Sequence, residues 1–257
     1  MTPPPAPHTT VLPSLVSLAA DAATGALTTE LGTVYLLAGR VAHVESPVAA
    51  DLGLLLLRSG AVDADGWWDA VGAAGSRQRV ARALVDSGRL TAGALELCHL
   101  GALFDAAYFA LTHTNRVLRF RPGVGHWLGA VRPVPVDVVV RESQRRREQL
   151  QRIWPEPDID SAPLVKVPGA PGRCLPRRRS RALAQVDGVR TAAEIASVLA
   201  WRTFPTLVEL RRLAADGIVT AAPGGREAAR VPEQRTGPPE EPDTALLRRL
   251  RDALEAL

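Results

Sequence analysis

Residues 180–220, SRALAQVDGVRTAAEIASVLAWRTFPTLVELRRLAADGIVT, constrain this chain most, because their turn signals divide them into three short helices and a strand. Asp187-Gly188 ends a first helix over Ser180–Val186. Thr191, with Glu194 three residues on, makes a capping box in which hydroxyl and carboxylate each satisfy an orphan backbone N–H. It opens a second helix, Ala192–Ala200, with Ile195, Val198 and Leu199 on one face. After the turn Trp201-Arg202-Thr203, Thr203 is expected to cap a third helix, with Pro205 in its first turn, where a missing N–H costs nothing. Leu207, Leu210, Leu213 and Ala214 recur at helical spacing. Gly217 stops the helix, and Ile218-Val219-Thr220 reads as a strand.

Helix, helix, short turn, helix, strand is the order of a winged helix-turn-helix, and Pro223-Gly224-Gly225 supplies a turn for the wing. In that module the third helix enters the major groove of double-stranded DNA. Helical projection turns Thr206, Glu209 and Arg212 away from the leucine face, and Arg202 stands at the helix entrance. With Arg178, Arg179 and Arg226 on phosphates, these residues form the predicted DNA contact set. Glu209 opposes a polyanion, although it can accept from cytosine N4. The phrase VDGVRTAAEIA also resembles the PqqD family, a winged-helix-like group whose members bind peptides; that likeness implies an interaction role instead.

Charge favours the first reading. The net charge is +4, and residues 141–220 carry 15 Lys and Arg against 9 acids, while the flanking segments are each at −1. A positive excess in and beside the three-helix stretch is the electrostatic footprint expected on nucleic acid. Cys98 and Cys174 are too few for a disulfide framework or a zinc spacing, so a reducing cytoplasm is expected. The N-terminal apolar stretch is interrupted by Asp21 and lacks a basic lead, and no run approaches a membrane span.

Residues 1–11 read as a disordered lead. Thr33–Leu37 and Arg40–Glu45 are β-prone runs joined at Ala38-Gly39, hence a hairpin. From Val48 to Leu111 the pattern is helical and nearly repeats: LLLRSGAVDA (55–64) and ALVDSGRLTA (83–92) align at a spacing of 28. Each copy reads as a helix ended by Gly, a short step, and a new helix capped by Asp63 or Thr91. Residues 115–121, NRVLRFR, return to strand character. Residues 132–140 are apolar and interrupted by prolines. Glu142–Trp154 is a charged helix, 155–163 a linker, and 164–175 an edge strand pair.

Three phrases carry a family likeness: TGALTTELGTVYLLAGRVAHVESP (24–47), LGALFDAAYFAL (100–111) and RFRPG (119–123). With them, residues 12–154 resemble the PatA N-terminal (PATAN) domain family. That resemblance implies a regulatory, protein-interaction domain without enzymatic activity, and the fusion to a winged-helix-like tail implies a bacterial transcriptional regulator.

The chemistry of enzymes finds no foothold. There is no G-x-S-x-G elbow and no phosphate-binding loop around Lys166. The histidines show no H-x-x-x-H or H-E-x-x-H spacing, so no metal site is expected, and His99 and His126 read as structural residues. The near-repeat is similar to the tandem cyclic di-GMP motifs of type II secretion ATPases of the MshE type. Carried over, Arg79, Ala83, Leu84, Val85 and Gly88 would hold the dinucleotide; helix caps explain the same residues.

The expected fold class is α+β: a mainly helical PATAN-like sensor domain with a β-hairpin or small sheet (12–154), a winged helix-turn-helix (164–232), then a flexible linker and amphipathic helix (233–257). Leu246, Leu247, Leu250, Leu254 and Leu257 form a stripe that can dimerise the chain or dock on a protein. A cytoplasmic, homodimeric, DNA-binding transcriptional regulator is the leading expectation. A protein-binding adaptor with a degenerate winged helix is the runner-up, and a cyclic di-GMP-responsive regulator the third reading.

Overall fold

A computed structural model describes residues 10–75, 78–112, 116–169 and 174–222. The class is α+β. The described residues belong to one compact unit. The wing turn, Arg226 and the C-terminal leucine stripe lie outside the described residues.

The front of the chain builds a five-stranded antiparallel sheet in the order β4-β1-β2-β3-β5, from Gly25–Thr29 (β1), Gly32–Leu37 (β2), Arg40–Glu45 (β3), Val117–Pro122 (β4) and Val134–Pro135 (β5). The predicted hairpin is β2–β3. Its turn residues Ala38 and Gly39 both have positive φ, the backbone hand that matches strand twist. The register shifts between Tyr35 and Leu36 of β2, where a bulge in β3 leaves Ala42 without a register partner. Val41 and Val44 therefore both join the core beneath the sheet, although simple alternation would turn them to opposite faces. β5 pairs only with Arg40 and Val41, so the rest of β3 is an edge of the sheet.

The near-repeat is realised as helices Leu52–Arg58 (α2), Ala64–Ala74 (α3), Val80–Asp86 (α4) and Ala92–Ala110 (α5). Ser59 and Ser87 end α2 and α4 identically, each hydroxyl donating to the carbonyl three residues back. Gly60 and Gly88 then take φ of 71° and 70°, a left-handed step that side chains resist. Asp63 and Thr91 cap α3 and α5 through the N–H of Gly66 and Ala94.

α5 is buried almost all round. Leu95 and Ala102 pack with α2–α4, Leu103, Ala106, Ala107 and Ala110 under the sheet, and Tyr108 with the rear of the chain. Its high content of alanine and glycine lets three layers approach one axis. Ahead of the sheet, Val11–Ala20 (α1) buries Val11 and Leu15 in the sheet core. The charged helix begins earlier than expected, at Val136, and runs to Ile153 (α6) because the valines after Pro135 continue its buried face.

Residues 155–163 correct the linker expectation. They contain a short helix, Asp158–Ser161 (α7), with Ile159 in the rear core and Ala162 buried. Instead of an edge strand pair over 164–175, Leu164–Lys166 (β6) pairs antiparallel with Val219–Ala221 (β7). Between them run Arg177–Ala184 (α8), Ala192–Leu199 (α9) and Thr203–Ala215 (α10), the predicted order of three helices and a strand. The Thr191–Glu194 capping box is formed in both directions.

Candidate functional site

The third helix of the predicted DNA interface is α10, and the fold encloses it. Nine of its thirteen residues are buried, against α5, α6, α7, α8 and α9. Thr206, expected on the groove-facing side, is 0% exposed and donates its hydroxyl to the Arg202 carbonyl. The projection misplaced it because Phe204, Thr206 and Val208 are buried as well as the leucines, so the helix buries nearly its whole circumference rather than the leucine face alone.

The amino end of α10 is also occupied. Thr203 is not a side-chain cap: it is the first helical residue, and its hydroxyl donates to the Val48 carbonyl. The cap is Asp105 of α5. Its Oδ2 accepts from Thr203 N–H at 2.7 Å and its Oδ1 from Phe204 N–H at 2.9 Å. Arg146 of α6 stands 3.7 Å from the same carboxylate and lies over the Phe204 ring. Burial raises the Asp105 pKa, and these two N–H donors and the arginines oppose that rise. A phosphate would compete here with an in-built anion at the positive end of the helix dipole.

The other predicted contacts are distributed rather than brought together. Glu209 is held by Arg179 at 3.4 Å and Arg212 at 3.2 Å; Arg179 also reaches Asp216 at 2.9 Å. Arg178 stacks on Trp201, 4.6 Å from the ring centroid. Arg202 is exposed with its guanidinium against Gly101 of α5. Arg212 is exposed. The basic helix turns inward: Arg147 donates to the carbonyls of Tyr108 and Leu111. In the cyclic di-GMP set, Leu84 is fully buried in the core with Ala83 and Val85 packed beside it, so these three are core residues and not a ligand surface. Arg79 and Gly88 are exposed.

What spacing concealed is a cluster of histidines. His43 of β3, His99 of α5 and His126, which follows β4, are buried together. His43 stacks on His126 at 3.9 Å and on His99 at 5.3 Å. No local motif announces it, because the three come from a strand, a helix and a loop. Edge closure explains His99: its Nε2 donates to the carbonyl of Ala42, the bulged residue of the edge strand, at 3.0 Å. The Leu128 N–H donates to His126 Nδ1 at 3.3 Å, which leaves Nε2–H to meet Glu45 Oε1 at 2.7 Å. The Tyr35 hydroxyl donates to the other Glu45 oxygen at 3.0 Å. His126 hydrogen bonding, more than any other contact, lowers the Glu45 pKa; burial first and Glu45 second push the Tyr35 phenol up to about 12. Burial holds His43 well below its ordinary value and His99 at about 4.

Among the described residues, one atom each of His43, Glu45 and His126 lie within 4.8 Å of one another, a spacing a metal ion can draw together. His99 and His126 are hydrogen-bonded, in keeping with their reading as structural residues, but no spacing announced that they meet His43. A cavity of about 450 Å³ adjoins them, bounded by Thr33, His43, Glu45, Asp51, Leu52 and Ala102. Beyond Glu45 and Asp51 a second, more apolar cavity of about 470 Å³ is walled by Leu54, Leu57, Trp67, Trp68, Val71 and Trp127. Trp68 is 65% exposed there.

The histidines predict an acid sensitivity. The unfolded chain protonates His99 near 6.5 and the folded chain only near 4. Between these values the unfolded state binds more protons, so stability falls as pH falls. At about 1.4 kcal/mol per unit, His99 alone removes about 2 kcal/mol between pH 6.5 and 5. Urea denaturation in EDTA at several pH values checks this. His99→Gln, which retains a donor for Ala42, should flatten the decline; an unchanged slope would refute the assignment.

No helix among the described residues is long and apolar enough to cross a membrane. No family model, curated protein or solved structure matches the chain.

Proposed function

We propose that this chain is a protein-interaction adaptor whose winged-helix-like rear module serves as an internal strut and does not read DNA. The observation that carries the reading is the burial of α10, with Thr206 inside and the Asp105 carboxylate on its amino end. A recognition helix needs an open polar face to reach base edges; here only Arg212 and Ala215 of α10 are exposed. The PATAN resemblance of residues 12–154 and the PqqD-like phrase at 186–196 agree with an interaction role.

The apolar cavity around Trp68 supports the same reading. Exposed tryptophan on a concave apolar wall is the composition of interaction hot spots. Its acidic neighbour Asp51 favours a partner segment that combines an apolar anchor with a basic residue.

A titration of labelled duplex DNA, followed by anisotropy at several salt concentrations, tests the proposal. Duplex affinity should be absent or no tighter than the nonspecific range of about 10⁻⁴–10⁻⁶ M at physiological salt. Nanomolar binding that falls steeply with salt, and is lost in Arg212→Ala, would restore the regulator reading.

A further inference from the structure

We propose that His43, Glu45 and His126 bind one transition-metal dication of the zinc class, at the edge of the sheet and facing the cavity beside α2. Two imidazoles and one carboxylate are the donor set of three-ligand zinc sites that keep a further position open. The candidate ligand atoms already lie within 4.8 Å of one another. Ligands about 2.0–2.2 Å from a tetrahedral ion stand roughly 3.5 Å apart, so side-chain adjustments of about 1 Å close the site.

Three features of the fold prepare it. The first is a deficit: His43 Nδ1 is buried without a hydrogen-bond partner, and buried polar atoms left unpaired call for an explanation. The second is support. Tyr35 holds the Glu45 carboxylate by its second oxygen, an outer contact of the kind that orients metal ligands. The third is access: His43 and Glu45 line the cavity, and the Glu45 side chain is 42% exposed, so an ion has a route in.

Loading has one defined cost. An ion on His126 Nε2 moves the ring proton to Nδ1, which now faces the Leu128 N–H. That bond is long, at 3.3 Å, so a small tilt of the ring releases it. His99 stays outside the ligand set because the converging ligand atoms are those of His43, Glu45 and His126, while its Nε2 is committed to Ala42.

The test uses the full chain stripped with EDTA and titrated with zinc at pH 7.5 by calorimetry. One equivalent should bind. Glu45→Gln and His126→Gln should each weaken binding about tenfold or more, Tyr35→Phe should weaken it less, and Cys98→Ser with Cys174→Ser should leave it unchanged. Histidine side-chain NMR of the unsubstituted chain guards against variants that fail to fold. On adding zinc, the ring signals of His43 and His126 should move and the Nε2–H of His99 should persist. Failure to bind zinc, binding that both ligand variants retain, or zinc that leaves the His43 and His126 signals in place would each overturn the site.

Discussion

Asp105→Ala is expected to destabilise the protein by about 3–4 kcal/mol. Two helix N–H groups, of Thr203 and Phe204, lose a charged acceptor in the interior, and each buried orphan costs about 1–3 kcal/mol. The nearly buried Arg146 loses a neighbouring anion as well. Relief of the carboxylate's own burial, which raises its pKa, offsets part of the sum and sets the lower figure. Asp105→Asn keeps one acceptor and should fall about midway. Urea denaturation of the three proteins at pH 7 measures this. A loss under about 1 kcal/mol for the alanine variant would mean that α10 finds another cap.

Arg211→Ala should cost at least as much, about 3–5 kcal/mol, the range for breaking a buried pair from one side. Arg211 is on α10, and its guanidinium grips both oxygens of Asp160 on α7, at 2.8 and 2.6 Å, while a further N–H reaches the Trp154 carbonyl. Without it Asp160, whose pKa burial already raises, keeps a charge with its pairing arginine gone. The same denaturation assay applies. Arg211→Met together with Asp160→Leu removes both charges and should recover much of the loss; if the double variant is no more stable than the single, the cost lies in packing rather than in the orphaned charge.

These two positions also mark where sequence reading stopped. Arg211 and Arg212 are adjacent in the chain and alike in chemistry. One is locked inside and the other is exposed, and only the placement of α7 decides which. The linker reading failed for the same reason: PEPDIDSAP is polar and proline-rich, yet Ile159 is an anchor and Asp160 has a partner 51 residues away. Local signals were legible where the physics is local. The Thr191–Glu194 box, the hairpin turn at Ala38-Gly39 and the paired Gly steps at 60 and 88 all involve groups within a few residues of one another.

The candidate site lay beyond that horizon. His43, His99 and His126 meet because a bulge in β3 turns His43 away from the sheet core while α5 crosses the edge that β5 leaves uncovered. None of those three conditions is written in a spacing rule. The basic excess of residues 141–220, an argument for DNA when read as surface charge, is spent in part on internal partners: Arg146, Arg147, Arg179 and Arg211 each bind carboxylates or carbonyls of their own chain.

The all-round packing of α5 has a consequence for how such a protein comes apart. A helix that is at once the floor of a sheet, the wall of a repeat and the bracket for a distant helix end cannot be assigned to either half. Cutting after Trp154 would bare Tyr108 and part the Asp105 carboxylate from the Thr203 and Phe204 amides downstream, while the detached rear would start its longest helix without that cap. The front and rear are then expected to melt as one unit rather than as interchangeable beads.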